Sequence, residues 1–477
     1  MNYEIVMGLE VHVELSTKTK IFCSCTTEFG GAPNTHVCEV CTGQPGTLPT
    51  LNRQVVEYAM RAGLATGCEI TKYTKFDRKN YFYPDLPKAY QISQLYLPIC
   101  QHGGIEVETE DGGKKIIGIK EIHMEEDAGK LVHDPWEDCS LVDYNRCGVP
   151  LIEIVSEPDF RSAYEVVSYL EKLKAILQFI GVSDCKMQEG SLRADINLSV
   201  RPVGQKEFGT RTEMKNMNSF KAIAHAIEGE SRRQIEVLEE GGIVRQETRR
   251  WDDNKGASYA MRTKENAQDY KYFPEPDLAP VEISQEHIDQ ARASLPELPE
   301  QKKARYMAEY GLPEYDTGIL TGSKYLVELF ETTVEVCGNP KEAANWIMGD
   351  VMKLLNDSGK EPEEMDFEPQ ALGRTIQLVQ KGVVNRNTGR KVFAAVFRDH
   401  VDPEKYVEEK GLQVVNDDGA IRTAIQEVIQ QNEKSVNEYK SGKEKALQYL
   451  VGQSMRALRG KANPQMVTSI LKELLNS

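Results

Sequence analysis

In Gly8-Leu9-Glu10-Val11-His12-Val13-Glu14-Leu15, carboxylates and an imidazole alternate with aliphatic residues. Successive side chains of a strand point to opposite faces, so Glu10, His12 and Glu14 share one face and Leu9, Val11, Val13 and Leu15 the other. One face suits a core, and the other suits a metal ion or a charged ligand. The arrangement recurs in three further stretches, through His123, Glu125 and Asp127, through Ser191, Arg193, Asp195 and Asn197, and through Arg211, Glu213 and Lys215. A solvated antiparallel sheet also alternates, but an ordinary exposed face runs to Thr, Lys and Ser. Four strands that mix carboxylates, imidazoles and cations predict a sheet whose polar face is an active site.

The chain has no Gly-x-x-x-x-Gly-Lys-Ser/Thr loop and no Gly-x-Gly-x-x-Gly placed after a strand. If it uses a nucleotide, metal ions on the sheet must hold the phosphates. Hard oxygen ligands suit magnesium, and nearby cations stabilise a transferring phosphoryl group. Glu10, His12 and Glu125 are the magnesium candidates, with Arg193 and Lys79 as phosphate contacts. Glu213 is a second metal ligand or a partner for Arg211. From Lys75 to Gln94 cations sit beside aromatic rings between prolines, with Asp77, Arg78, Lys79, Tyr81 and Tyr83 close together. That composition fits phosphate holding and base stacking, and equally a packed aromatic loop.

Cys23-Ser24-Cys25 and Cys38-Glu39-Val40-Cys41 form two close pairs in a loop rich in Gly, Pro and Asn. Two such pairs supply the four thiolates of a closed structural zinc site, which organises a loop and leaves chemistry to other residues.

The elements that must position these groups are legible from periodicity. A helix is expected over Gln54–Gly67, and short strands over 104–109, 116–122, 141–145 and 151–155, with a hairpin turn at Asp111-Gly112-Gly113. Ser162 and Glu165 begin a helix whose apolar face runs through Val166, Leu170, Leu173, Leu177 and Ile180 and which Gly181 ends. Another is expected from Ser219 to Leu238. Helices interspersed with hairpins give an α+β class with a mixed or antiparallel sheet. Past Leu295-Pro296-Glu297-Leu298-Pro299 helical patterns take over. Three domains follow: a sheet domain over 1–294, a helical domain over 295–404 and a small all-α tail over 405–477.

Of 477 residues 40% are apolar and 28% charged, the composition of a globular protein. No apolar run is long enough for a membrane span and the start lacks signal-peptide regions, so a cytoplasmic protein without membrane contact is expected. The formal charge of −16 argues against a nonspecific nucleic-acid coat. The tail differs, with 11 Lys+Arg against 9 Asp+Glu over 405–477. Lys445, Arg456 and Arg459 fall on about one face of a helix there, either a solvated face or a contact with a phosphate backbone.

The strings 8–14, 76–85, 123–130, 150–159 and 272–277, with Trp346-Ile347-Met348-Gly349 and Gly460-Lys461-Ala462-Asn463-Pro464, resemble the B-subunit family of the aspartyl/glutamyl-tRNA(Asn/Gln) amidotransferases, and the resemblance runs nearly end to end. It implies ATP-dependent conversion of misacylated Glu-tRNA(Gln) or Asp-tRNA(Asn) to the amide. In the implied heterotrimer an amidase, the A subunit, would supply ammonia, and a small C subunit would sit at the junction. The resemblance also implies a catalytic domain similar to the glutamine synthetase and guanidino kinase fold, and a tail that contacts tRNA. Glu10, His12 and Glu125 carry over as metal ligands, and Lys79, Arg193, Asp195 and Glu213 as further site residues. Many family members carry other residues at the positions of Cys23, Cys25, Cys38 and Cys41, so a zinc here would not be essential to the reaction. The competing reading is a noncatalytic, zinc-stabilised adaptor that presents charged tRNA to a partner enzyme.

Overall fold

The computed structural model describes residues 2–133, 138–263, 270–414, 418–441, 443–458, 462 and 464–476. The chain divides into two compact units, Met1–Pro299 and Glu300–Ser477. The first unit is α+β and the second is built of helices.

In chain order the strands are β1 (Tyr3–Glu14), β2 (Glu69–Ile70), β3 (Tyr73–Thr74), β4 (Asp77–Asn80), β5 (Tyr90–Ser93), β6 (Cys100–Glu108), β7 (Lys114–Glu126) and β8 (Lys130–His133). They continue with β9 (Ser140–Asp143), β10 (Pro150–Ser156), β11 (Leu192–Pro202), β12 (Thr212–Lys215), β13 (Glu247–Asp252), β14 (Ala257–Thr263), β15 (Phe273–Pro274) and β16 (Val281–Glu282). Nine of them form one sheet in the order β14-β13-β12-β11-β1-β10-β7-β6-β2. All its pairings are antiparallel except β12 with β13, so the sheet is mixed. A smaller sheet, β15-β4-β5, contacts the main sheet where β5 meets β7.

Alternation in β1 does what its pattern predicts. Met7, Leu9, Val11 and Val13 are buried, while Gly8, Glu10, His12 and Glu14 are less so. Helices α1 (Arg53–Ala65), α2 (Ala163–Phe179) and α3 (Phe220–Glu239) pack with this apolar face into one core. Each fully buried Val, Leu or Ile there contributes roughly 1.5–3 kcal/mol. Ser162 caps α2 by accepting from the Glu165 amide, and Ser219 caps α3 by accepting from Ala222. The chain leaves α2 through Gly181 at φ +70°, a left-handed conformation that glycine takes without strain.

The second unit contains separate apolar clusters. One centres on Tyr306, Phe330, Trp346 and Phe393, with Trp346 fully buried just before a π-helical turn at Ile347–Val351. Another joins helices Asp418–Gln431, Glu444–Ala457 and Pro464–Asn476 through Ile421, Ile425, Leu450, Val467 and Leu471. No helix among the described residues is long and apolar enough to cross a membrane.

Candidate active site

Strand register assembles the polar face. His12 of β1 lies opposite Glu153 of β10, which lies opposite His123 of β7. On the other side His12 faces Arg193 and Glu10 faces Asp195, both on β11. Asn197 then faces Glu213 of β12. Directly opposed residues share a face, so these groups form one charged surface across five adjacent strands.

Two clusters stand out on it. In the first, His12, Glu125 and Glu153 bring ligand atoms within 4.8 Å of one another. His12 Nδ1 lies 3.2 Å from Glu125 Oε1 and 3.9 Å from Glu153 Oε2, and His123 Nε2 lies 3.1 Å from Glu153. Burial works against the His12 imidazolium, but Glu153, then the hydrogen bond to Glu125, then Asp195 raise it to about 9. Glu153 shows the converse: burial opposes its charge, and His123 and His12 overcome it, holding the carboxyl far below its ordinary range. The second cluster is Glu10, Asp195 and Glu213. Asn197 donates to Glu10 over 3.0 Å, Thr248 to Glu213 over 2.7 Å, and Lys215 bonds Asp195. Burial opposes the Lys215 ammonium, and Asp195 and Glu213 hold it charged. An all-carboxylate set and an imidazole with two carboxylates are both donor sets for a hard divalent cation.

The three residues named as magnesium candidates therefore fall into different clusters. Glu10 is two residues from His12, roughly 6.8 Å along the strand, and its neighbours are Asp195 and Glu213. Glu153 escaped the sequence reading although it joins both imidazoles. Its signal was available as a lone carboxylate in the aliphatic strand Leu151–Val155.

A third polar group lies at Glu14. Its carboxyl is pushed up to about 8 by burial and by the nearby Asp127 charge. Burial opposes ionisation of Asp127, but Arg193 and Arg146 hold it below its usual range. Arg193 Nη2 donates to Asp127 over 2.8 Å.

The aromatic stretch roofs the cluster of His12, Glu125 and Glu153. Lys79, on β4, is opposed by burial and kept charged by Glu125, Tyr272 and Glu153. Its ammonium lies 5.3 Å from the Tyr270 ring and 5.8 Å from Tyr81. Asp77 and Arg78 have internal partners. Asp77 is fully buried and accepts from the amides of Leu95 and Tyr96. Arg78 bonds both oxygens of Glu275 over 2.7 and 2.9 Å, bonds Asp277 over 2.9 Å, and stacks on Tyr90 at 4.3 Å. Alternation along β4 turns Arg78 to the face opposite Lys79, and Asp77, on the side of Lys79, is taken up by its backbone partners, so both residues hold the loop in place. Tyr83 is exposed.

Beside the Glu10 end a cavity of ≈ 440 Å³ opens, lined by Val6, Gly8, Glu10, Asn197, Phe208 and Arg211 among others. It offers an aromatic ring, a guanidinium and a backbone with little side-chain bulk next to a carboxylate cluster.

Comparison with known proteins fits this geometry. Residues 5–289 match the family model described as GatB/GatE catalytic domain, and residues 328–475 match the GatB domain model. The chain belongs to the GatB family. It is 64% identical to the B subunit of the aspartyl/glutamyl-tRNA(Asn/Gln) amidotransferase of Lachnoclostridium phytofermentans, over 99% of each chain. Identity to the Caldicellulosiruptor bescii protein of the same name is 61%, over 100% of this chain and 99% of that one. Thermoanaerobacter pseudethanolicus has a further relative of that name, 57% identical over the whole of both chains.

Two more groups in this GatB chain bear on function. The thiols of Cys23, Cys25, Cys38 and Cys41 converge within 4.8 Å of one another, and Cys38 and Cys41 sulfurs are 4.0 Å apart. A zinc ion with bonds of about 2.3 Å to four sulfurs sets them roughly 3.8 Å apart, so the four residues fit such an ion. A hydrogen bond with Cys23 lowers the Cys41 thiol to about 5 against the effect of burial, helped by the Cys38 amide and Lys20. In the tail, Lys445 and Arg456 are exposed on the helix Glu444–Ala457. Arg459 lies outside the described residues.

Proposed function

We propose that this chain is the component of a tRNA-dependent amidotransferase that activates the side-chain carboxylate of misacylated Glu-tRNA(Gln) or Asp-tRNA(Asn) with ATP and completes the amide with ammonia. The observation that carries this reading is the pair of clusters side by side on one sheet face, next to a cavity of nucleotide dimensions, in a chain of the GatB family. Carboxylates are poor acyl donors. A side-chain oxygen of the substrate attacks the γ-phosphorus, the bond to ADP breaks, and the acyl phosphate supplies a leaving group. Ammonia then attacks the carbonyl carbon, phosphate departs, and the nitrogen loses a proton.

His12, Glu125 and Glu153 would hold one magnesium ion and Glu10, Asp195 and Glu213 another, and such ions neutralise phosphate oxygens. Lys79 approaches from the roof with a charge retained at any physiological pH, suited to the transferring phosphoryl group. Lys215 and Asn197 orient the second cluster. Arg193 lies across from His12 and offers a guanidinium to the acceptor carboxylate or its phosphate. The cavity beside Gly8 would take the adenosine, with Phe208 against the base and Arg211 toward phosphate. The four cysteines would hold a structural zinc.

Several features extend the reading. A metal-bearing sheet face with helices behind it is the arrangement expected of the glutamine synthetase and guanidino kinase fold. The division into a catalytic domain over 1–294, a helical domain over 295–404 and a tail over 405–477 assigns tRNA contact to the tail, where Lys445 and Arg456 stand exposed. Ammonia would come from an amidase partner, with a small third protein completing the assembly, in the cytoplasm.

The test is phosphate release from ATP by the chain assembled with its amidase partner, with and without Glu-tRNA(Gln), in magnesium and in EDTA. Cleavage that requires both charged tRNA and magnesium is expected. Proven tRNA binding without ATP cleavage would favour the adaptor reading.

A further inference from the structure

The loop that carries the cysteine pairs is bonded to a segment far along the chain, and that segment reaches the polar face. Between its two pairs the loop meets residues 142–147. Asn34 donates through Nδ2 to the Val142 carbonyl over 2.9 Å, accepts from the Tyr144 amide over 2.8 Å, and its own amide donates to Asp143 Oδ1 over 3.0 Å. Asn145 answers from the other side. Its Nδ2 donates to the Ala32 carbonyl over 2.7 Å, and its Oδ1 accepts from the His36 amide over 2.8 Å. Cys147 Sγ donates to the Cys41 carbonyl over 3.3 Å. A side-chain amide engaged at both its donor and its acceptor end fixes the two backbones it joins, because turning it loses both bonds at once.

Arg146 lies inside this segment and turns toward the end of β7. Its Nε donates to the Ala128 carbonyl and its Nη2 to the Gly129 carbonyl, each over 2.9 Å, and Nε stands 3.4 Å from Asp127 Oδ2. Arg193 Nη2 donates to that same oxygen over 2.8 Å. The backbone closes the contact, with the Gly148 amide donating to the Asp127 carbonyl over 2.9 Å and the Asp127 amide to the Val149 carbonyl over 2.8 Å. Arg193 makes no other hydrogen bond among the described residues. One buried oxygen therefore aims its guanidinium, and that oxygen is held by residues 146–149. A displacement of about 1 Å at a reacting centre, caused from a distance, is enough to slow a reaction.

We infer that the cysteine loop, through Asn34 and Asn145, positions Arg193 for the aminoacyl substrate. The loop fixes the 142–147 segment, Arg146 in that segment fixes Asp127, and Asp127 aims the guanidinium. Asn34, Asn145 and Arg146 are positioning residues that act without touching substrate. This rests on the kinase reading, which gives Arg193 to the acceptor carboxylate or its phosphate. It gives the cysteine loop a part in the reaction although the loop supplies neither a ligand for magnesium nor a proton.

The test is the kinetics of ATP cleavage by the chain assembled with its amidase partner, for Asn145→Ala, for Arg193→Met and for the two changes together. Changes along a coupling network alter it by about twofold to thirtyfold. The kcat/KM for Glu-tRNA(Gln) should fall by such a factor in Asn145→Ala, while the KM for ATP and the Ki of uncharged tRNA stay as in the wild type. A general loosening of the fold would move all three. In the Arg193→Met background Asn145→Ala should cost nothing further, because it acts through the group already removed. Asn34→Gly should repeat the pattern; Asn34 is exposed and its φ of +58° suits glycine, so this variant keeps the test open if Asn145→Ala does not fold. Losses that multiply in the double variant overturn the inference, and so does a wild-type kcat/KM in both asparagine variants. Wild-type kinetics in Arg193→Met would overturn the substrate contact given to Arg193, and its positioning with it. Tight tRNA binding without any ATP cleavage by the wild type would overturn the kinase reading itself.

Discussion

Arg78 offers a sharp division between a residue that touches substrate and one that builds the site. Its guanidinium makes two charge-assisted bonds to Glu275 and one to Asp277 and stacks on Tyr90. The Glu275 side chain is fully buried and that of Arg78 is 18% exposed. Replacing Arg78 by Met keeps most of the stem and removes the charge. Glu275 is then left as a buried carboxylate with the Asp277 amide as a remaining donor. Breaking one side of a buried ion pair costs roughly 3–5 kcal/mol. At about 2–4 °C per kcal/mol for a large domain, Arg78→Met should lower the melting temperature of the sheet unit by roughly 6–20 °C. The strand pairing of Phe273 with Arg78 should loosen as well, and with it the Tyr270 and Tyr272 roof over Lys79. Because matched apolar replacement of a buried pair is often neutral, Arg78→Met with Glu275→Met should recover most of the loss. The assay is thermal unfolding of the purified chain, with limited proteolysis near residue 272 as a local probe. A wild-type melting temperature for Arg78→Met, together with a raised KM for Glu-tRNA(Gln), would refute this reasoning and make Arg78 a substrate contact.

Three other outcomes are expected. Glu153→Gln should reduce tRNA-stimulated ATP cleavage at least about a hundredfold, the scale of losing one preorganised electrostatic group, with tRNA affinity unchanged; near-normal cleavage would remove Glu153 from the site. Cys38→Ser with Cys41→Ser should take bound zinc from one equivalent per chain to none by metal analysis, and should lower thermal stability; a full equivalent in the double variant would rule out the four-thiol site. Lys445→Ala with Arg456→Ala should weaken tRNA binding and reduce the slope of log K against log salt by up to about 2, one for each phosphate no longer neutralised. Unaltered affinity and slope would return both residues to a solvated helix face.

Much of this architecture is written in local patterns. Two-residue alternation in Gly8–Leu15 requires no partner to declare a strand with a wet and a dry face. The Ser162 cap, the apolar stripe from Val166 to Ile180 and Gly181 likewise mark a helix, because capping and amphipathicity act over a few residues. The paired cysteines announced a shared site through their spacing alone. Partnership across strands was a different matter. Glu10, His12 and Glu125 look like one set in sequence, but which carboxylates meet depends on register between strands far apart in the chain. That register placed Glu153 between two histidines and sent Glu10 to Asp195 and Glu213.

The aromatic loop shows the same limit from another side. Its composition identified a place where cations and rings gather, and Lys79 does face the carboxylates. Which way each neighbour points follows from the β15-β4-β5 pairing, which buries Asp77 and ties Arg78 to Glu275, nearly two hundred residues away. The sequence by itself determined the elements, the chemical character of their faces and the family, because these depend on local periodicity and on extended strings of residue types. Only the tertiary structure decided which charges stand within bonding distance, because Coulomb and hydrogen-bond energies depend on separations of a few ångströms set by strand register.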